Sequence, residues 1–194
     1  MRRNVALLLF DDVEVLDFAG PFEVFAVADE LRGHGLFDVF TVGLAAGVVR
    51  ARNGLRAVAD HALADCPRAD VLVVPGGAGT RVLLENPVMI DWIRERTAAA
   101  EVTLSVCTGA LLLARAGLLD GLRVTTHHEV LGLLSRIAPN ALVDPGARFH
   151  DQGRTVTSAG ISAGIDASLH LVGRLAGAQV ARDTAAYMEY RPGA

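Results

Sequence analysis

Apolar positions follow two rhythms along this chain. Short runs rich in Val, Leu and Phe, at residues 4–10, 37–44, 71–74 and 102–106, carry few polar interruptions and predict strands buried on both faces. Longer segments with helical spacing predict helices at about 17–31, 87–100, 108–116, 129–137, 163–176 and 180–190. The punctuation agrees: Gly33 and Gly35 stop the first helix, Asn86 caps the second ahead of Pro87, and the helix at 129–137 ends before Pro139. Residues 48–52 and 55–58 flank Asn53-Gly54, the strongest short hairpin signal. A strand at 122–126 and an outlying hairpin of 148–150 with 155–158, turning at Gln152-Gly153, complete the pattern. Strands alternating with helices predict an α/β fold: a doubly wound, mostly parallel, flavodoxin-like sheet with helices on both faces. No repeat, low-complexity block or linker divides residues 1–194, so they read as a single domain.

Composition narrows the function classes. A chain of 194 residues that is 52% hydrophobic and 21% charged is no disordered tail, and it is long enough for one sizeable core. A net charge of −4 provides no global basic field to recruit nucleic acid or an anionic membrane. No apolar run is long enough to span a bilayer. The start, Arg2-Arg3 before the apolar run 5–10, mimics a signal peptide, but Asp11-Asp12 end that run without a small-residue cleavage site. A buried first strand is therefore expected. Two cysteines, Cys66 and Cys107, make no disulfide framework, and with the six histidines they show no metal-ligand spacing. The expectation is a soluble cytoplasmic protein with no metal and no cofactor.

In an open α/β sheet, ligands bind beyond the carboxyl ends of the strands, so the residues that follow each strand are the candidates. Cys107 ends the run 102–106 and enters a helix through the small residues Thr108, Gly109 and Ala110. There its sulfur faces a helix N-terminus, whose dipole and free amides favour a thiolate and an anionic centre. The other reading is a buried structural cysteine. Cys66, before Pro67 in a loop, has no such turn and is expected to be incidental. Pro75-Gly76-Gly77-Ala78-Gly79 follows the run 71–74, where Gly76 and Gly77 are either backbone oxyanion donors or a tight turn. Asp17 stands among apolar neighbours after the first strand, as an ordinary first-turn helix carboxylate or as a desolvated proton donor; Glu23 is a weaker candidate. His127 and His128 follow the strand at 122–126, either as partners for the thiol or as a polar strand end. Phe18, Phe22, His128 and Ile161 either shape a pocket or belong to the core.

Together, Leu16-Asp17-Phe18-Ala19-Gly20-Pro21, Val74-Pro75-Gly76-Gly77, Ser105-Val106-Cys107-Thr108-Gly109-Ala110, Thr126-His127 and Ala159-Gly160-Ile161-Ser162-Ala163-Gly164-Ile165-Asp166 resemble the ThiJ/PfpI superfamily, within the class I glutamine-amidotransferase-like fold. The Cys-Thr-Gly turn and the aspartate at 17 resemble its isonitrile hydratase branch. The resemblance implies Cys107 as nucleophile, Asp17 as acid and base, Thr108 beside the sulfur, and the backbone of Gly77 and Thr108 along the oxyanion side. His127 matches a family histidine and is a possible auxiliary group, whereas His128 departs from the aromatic residue expected there. The resemblance also implies a small-molecule substrate and a homodimer. AraC-type regulators share much of the pattern, but no helix-turn-helix domain is expected in 194 residues. The implied activity is hydration of an isonitrile to an N-substituted formamide. The alternatives are a non-catalytic ligand-binding or redox-sensing module, and a hydrolase or glyoxalase acting on amides or dicarbonyls.

Overall fold

The computed structural model describes residues 2–193. The chain runs β1 (Arg3–Leu8), α1 (Val15–Glu30), β2 (Phe37–Gly43), β3 (Gly47–Arg50), β4 (Arg56–Ala59), β5 (His61–Ala62), β6 (Val71–Val74), α2 (Thr80–Leu83), α3 (Pro87–Ala99), β7 (Val102–Ser105), α4 (Gly109–Arg115), β8 (Arg123–Val124), α5 (Leu131–Ile137), β9 (Leu142–Val143), β10 (Phe149–Asp151), β11 (Thr155–Ser158), α6 (Ala163–Ala176) and α7 (Ala178–Tyr187). Seven strands form the central sheet in the order β10-β11-β7-β6-β1-β2-β5. All neighbours are parallel except β10 and β11.

Strand alternation divides the core in two. Ala6, Leu8, Leu72 and Val74 face Met89 and Ile93 of α3, the apolar run of α4, and Leu134 of α5. Val5, Leu7, Val71, Val73, Val102 and Leu104 face Val24 and Phe25 of α1, Leu171 and Val172 of α6, and Val180 of α7. The mostly parallel sheet with helices on both faces is thus as the sequence predicts. Helix α3 starts where Asn86 and Pro87 place it, with the Asn86 Oδ1 accepting from the Met89 N–H at 3.2 Å. Helix α1 contains Pro21, which has no N–H to return to the Asp17 carbonyl one turn earlier.

Two elements differ from expectation, whereas the Asn53-Gly54 hairpin forms as expected. The strand expected at 122–126 is reduced to two residues in β8, and it pairs with β9 outside the central sheet. The hairpin expected to be outlying is part of the central sheet, because Thr155–Thr157 lie in parallel register with Thr103–Ser105. Asn53-Gly54 does turn a hairpin, β3 with β4, but as a separate two-stranded ribbon. The short elements β5, α2 and β9 carry no periodicity long enough to announce them.

Candidate active site

Four adjacent strands, β11, β7, β6 and β1, deliver the site at their carboxyl ends. Cys107 leaves β7 with φ 57, a left-handed conformation that is uncommon for a residue with a side chain. Distant chain holds it there: its N–H donates to the Ala159 carbonyl at 3.1 Å, and its carbonyl accepts from the Thr126 hydroxyl at 2.6 Å. The turn also needs Gly109, where a Cβ would stand 2.0 Å from the Val74 carbonyl oxygen. Gly77, with φ 132, bridges Val13 on the loop before α1 and so ties the β6 loop to the segment that carries Asp17.

The Asp17 side chain is fully buried. Its Oδ2 accepts from the Gly76 N–H at 3.0 Å, and its Oδ1 has no hydrogen-bond partner. Burial pushes this carboxyl up to about 7, against the opposing effects of the Gly76 amide, the Cys107 thiol and the Ile161 amide. The thiol beside it is buried as well. Desolvation first, and then the facing Asp17 charge, push it up to about 12, although the amides of Thr108 and Ile161 pull the other way. The expectation of an acidic thiol at a helix N-terminus is therefore corrected: lost solvation and a neighbouring carboxylate outweigh the amides. At neutral pH the two groups behave as a unit that retains at least one proton.

A second correction concerns Gly76 and Gly77. Neither amide is a free oxyanion donor, because the Gly76 N–H is held by Asp17 and the Gly77 N–H donates to the Thr108 hydroxyl at 2.8 Å. Thr108 lies next to the sulfur in sequence, but its hydroxyl serves the Gly77 loop together with Thr80, whose hydroxyl donates to the Gly77 carbonyl at 2.8 Å. The amides that do face the sulfur belong to Thr108 and Ile161. The Ile161 amide was missed as a donor by sequence reasoning. The available signal was Gly160-Ile161, in which Gly160 lets the His127 ring approach to 2.4 Å of where a Cβ would be, and Ile161 turns with φ 51.

A cavity of about 170 Å³ opens over the sulfur, lined by Glu14, Arg52, Ala78, Arg81, His127, Glu129 and Ile161 as well as Gly77, Cys107 and Thr108. A larger apolar cavity of about 570 Å³, between α6, α7 and residues 190–193, contains none of the candidate groups. His127 reaches the smaller cavity. Its Nδ1 accepts from the Glu129 N–H at 3.3 Å, which leaves the ring proton on Nε2, and burial, then the charges of His128, Arg52 and Arg81, lower its basicity against the opposing charge of Glu129. His127 is thus a poor base here and a usable donor. Glu23 is exposed, Phe18 and Phe22 pack against the core, and Cys66 lies in the core on the α3 side. Among the described residues no group of three His, Cys, Asp or Glu is placed to hold a metal ion, and no helix is long and apolar enough to cross a membrane.

The model of the DJ-1/PfpI family matches residues 3–174. The chain belongs to this family. It is 36% identical over 192 residues to an isonitrile hydratase of Pseudomonas putida, covering 99% of this chain and 80% of that protein. It is also 30% identical over 174 residues to the HTH-type transcriptional regulator GbdR of Pseudomonas aeruginosa, covering 89% of this chain but only 46% of that protein. A crystal structure of a ThiJ/PfpI family protein from Pseudomonas syringae superposes with a TM-score of 0.89 at 28% identity, covering all of this chain and 77% of that one. Its relatives thus include both an enzyme and a regulator.

Proposed function

We propose that the chain is a cysteine-dependent lyase that hydrates a small isonitrile to an N-substituted formamide. The observation that carries this reading is the buried Asp17 carboxyl, with one oxygen unpartnered, beside the Cys107 thiol under a small cavity. An isonitrile carbon accepts a proton and then a nucleophile. Asp17 delivers the pair's proton to that carbon while the sulfur bonds to it, giving a thioimidate, R–N=CH–S–Cys107. Asp17, now ionised, takes a proton from water as the hydroxide adds to the carbon and passes that proton to the imine nitrogen. The C–S bond then breaks, releasing R–NH–CHO and returning the proton to the thiol. A carboxyl near 7 is suited to giving and retaking a proton at neutral pH. The Thr108 and Ile161 amides, with His127 as an auxiliary donor, stand where charge develops on the sulfur side. The 36% identity to an isonitrile hydratase supports the same reading. The reading carries with it a homodimer working in the cytoplasm.

The test is a paired assay of the wild type and Cys107→Ala with cyclohexyl isocyanide, following formamide by chromatography. Formamide from the wild type alone is expected; formamide from both refutes the role of Cys107, and formamide from neither refutes hydration of this neutral isonitrile. A second reading, a non-catalytic ligand-binding or redox-sensing module, is favoured by the similarity to GbdR, while the raised thiol pKa counts against its redox-sensing form. It predicts ligand binding without turnover. A hydrolase or glyoxalase would lean harder on His127, so His127→Ala separates that option.

A further inference from the structure

The rim of the Cys107 cavity carries two cations and two carboxylates, and they are not equivalent. Arg52 is neutralised by Glu14, with its Nη1 at 2.9 Å from Oε2. Glu129 turns its largely exposed carboxylate toward the His127 ring, 3.8 Å away. Arg81, in α2, forms no ion pair among the described residues; its guanidinium makes only a long contact, 3.4 Å, to the Gly77 carbonyl oxygen. Like Arg52, it is close enough to His127 to lower that ring's basicity. The Nε2–H of His127 adds a neutral donor to the same cavity. The wall thus offers a free guanidinium, with its fork of donors, and an imidazole N–H, and the fork suits a planar oxyanion.

We infer that Arg81 is a specificity-determining residue which binds a carboxylate on the substrate, so that the site takes a small carboxylate-bearing molecule whose reactive carbon lies a short linker away. This rests on the proposed chemistry of Cys107 and names the substrate class for it: an isocyano carboxylate in preference to a neutral isonitrile. The small cavity sets the linker length. A ligand whose carbon reaches the sulfur has little chain left before its other end meets the rim, where Arg81 stands.

The test uses two alkylating probes of nearly the same shape, anionic iodoacetate and neutral iodoacetamide, and reads the rate of Cys107 carboxymethylation and carbamidomethylation by mass spectrometry. It needs no isonitrile turnover, so it is independent of the hydratase reading. The quantity is the iodoacetate-to-iodoacetamide rate ratio, divided by the same ratio for free cysteine, which cancels the intrinsic reactivity of the sulfur. In the wild type this ratio is expected to favour iodoacetate by about tenfold, the size of one charge-assisted contact. It should fall to near one in Arg81→Met, be partly kept in Arg81→Lys, and shrink as salt is raised. A wild-type ratio near one, or a ratio unchanged in Arg81→Met, overturns the assignment. Isocyanoacetate and its ethyl ester then form the substrate pair. Turnover of both at equal efficiency refutes the carboxylate preference and leaves hydration standing, whereas turnover of neither, with the alkylation preference intact, refutes hydration and leaves the anion site.

Discussion

Asp17→Asn removes a titrating group whose native environment resists ionisation, and the consequence for stability can be worked out. Burial raises the carboxyl from 3.8 to about 7 in the native state, while the unfolded chain keeps the ordinary value. Between these values the native state binds more protons than the unfolded state. Wild-type stability therefore falls as pH rises from about 4 to about 7, and the loss is complete above that. At about 1.4 kcal/mol per pH unit, a shift of this size amounts to about 4 kcal/mol by pH 8. Asparagine has no such titration. Its Oδ1 can still accept from the Gly76 N–H, and its amide group takes the place of the unpartnered Oδ1 at a pH-independent cost of about 1–3 kcal/mol. The absolute difference between the two proteins is thus offset, but its change with pH is not. Urea unfolding of both at a series of pH values from 4 to 8 isolates that change, because the Cys107 thiol does not begin to titrate in the unfolded chain until the upper edge of this window. Asp17→Asn should gain about 4 kcal/mol on the wild type across the window, most of it before pH 7. A difference that stays flat from pH 4 to 8 would refute a proton-retaining Asp17, and with it the acid role in the proposed reaction.

Two further outcomes follow. Asp17 is one cause of the raised Cys107 pKa, so the pH profile of Cys107 alkylation should move to lower pH in Asp17→Asn, and an unmoved profile would show that burial alone holds the thiol protonated. Gly109→Ala drives a methyl group against the Val74 and Pro75 carbonyl oxygens, both backbone atoms that cannot rotate away, and should cost about 3 kcal/mol or more in urea unfolding; a near-neutral effect would mean the turn can open.

Local features were legible in the sequence. The unbroken apolar run at 71–74 is β6 to the residue, and Cys107 sits at the strand-to-helix turn implied by the small residues after it. What the sequence hid depends on partners far along the chain. Whether the amides of Gly76 and Gly77 are free is decided by Asp17 and Thr108, 59 and 31 residues away. The helix N-terminus beside Cys107 and a desolvated Asp17 were both among the local readings, but that burial and the Asp17 charge together outweigh the amides at the sulfur could not be read locally. The run at 122–126 looked like a sheet strand because apolar and polar residues alternate there. The place beside β7 is instead taken by β11, whose Val156 completes the core on the α6 side.

The arrangement of the four site strands also bears on when the protein can work. Asp17 follows the first strand, whereas the Ile161 amide and the Ala159 carbonyl that hold the Cys107 turn follow the last. Between them the chain must pair β1 with β6, β6 with β7, and β7 with β11, all parallel and all distant in sequence. Such pairings form slowly, since each closes a long loop before any contact rewards it. A chain still emerging from the ribosome carries its acid and its thiol long before the segment that positions them. The Asp17–Cys107 arrangement is therefore complete only once β11 has paired with β7, so the reaction proposed for it should return after dilution from denaturant no earlier than that pairing.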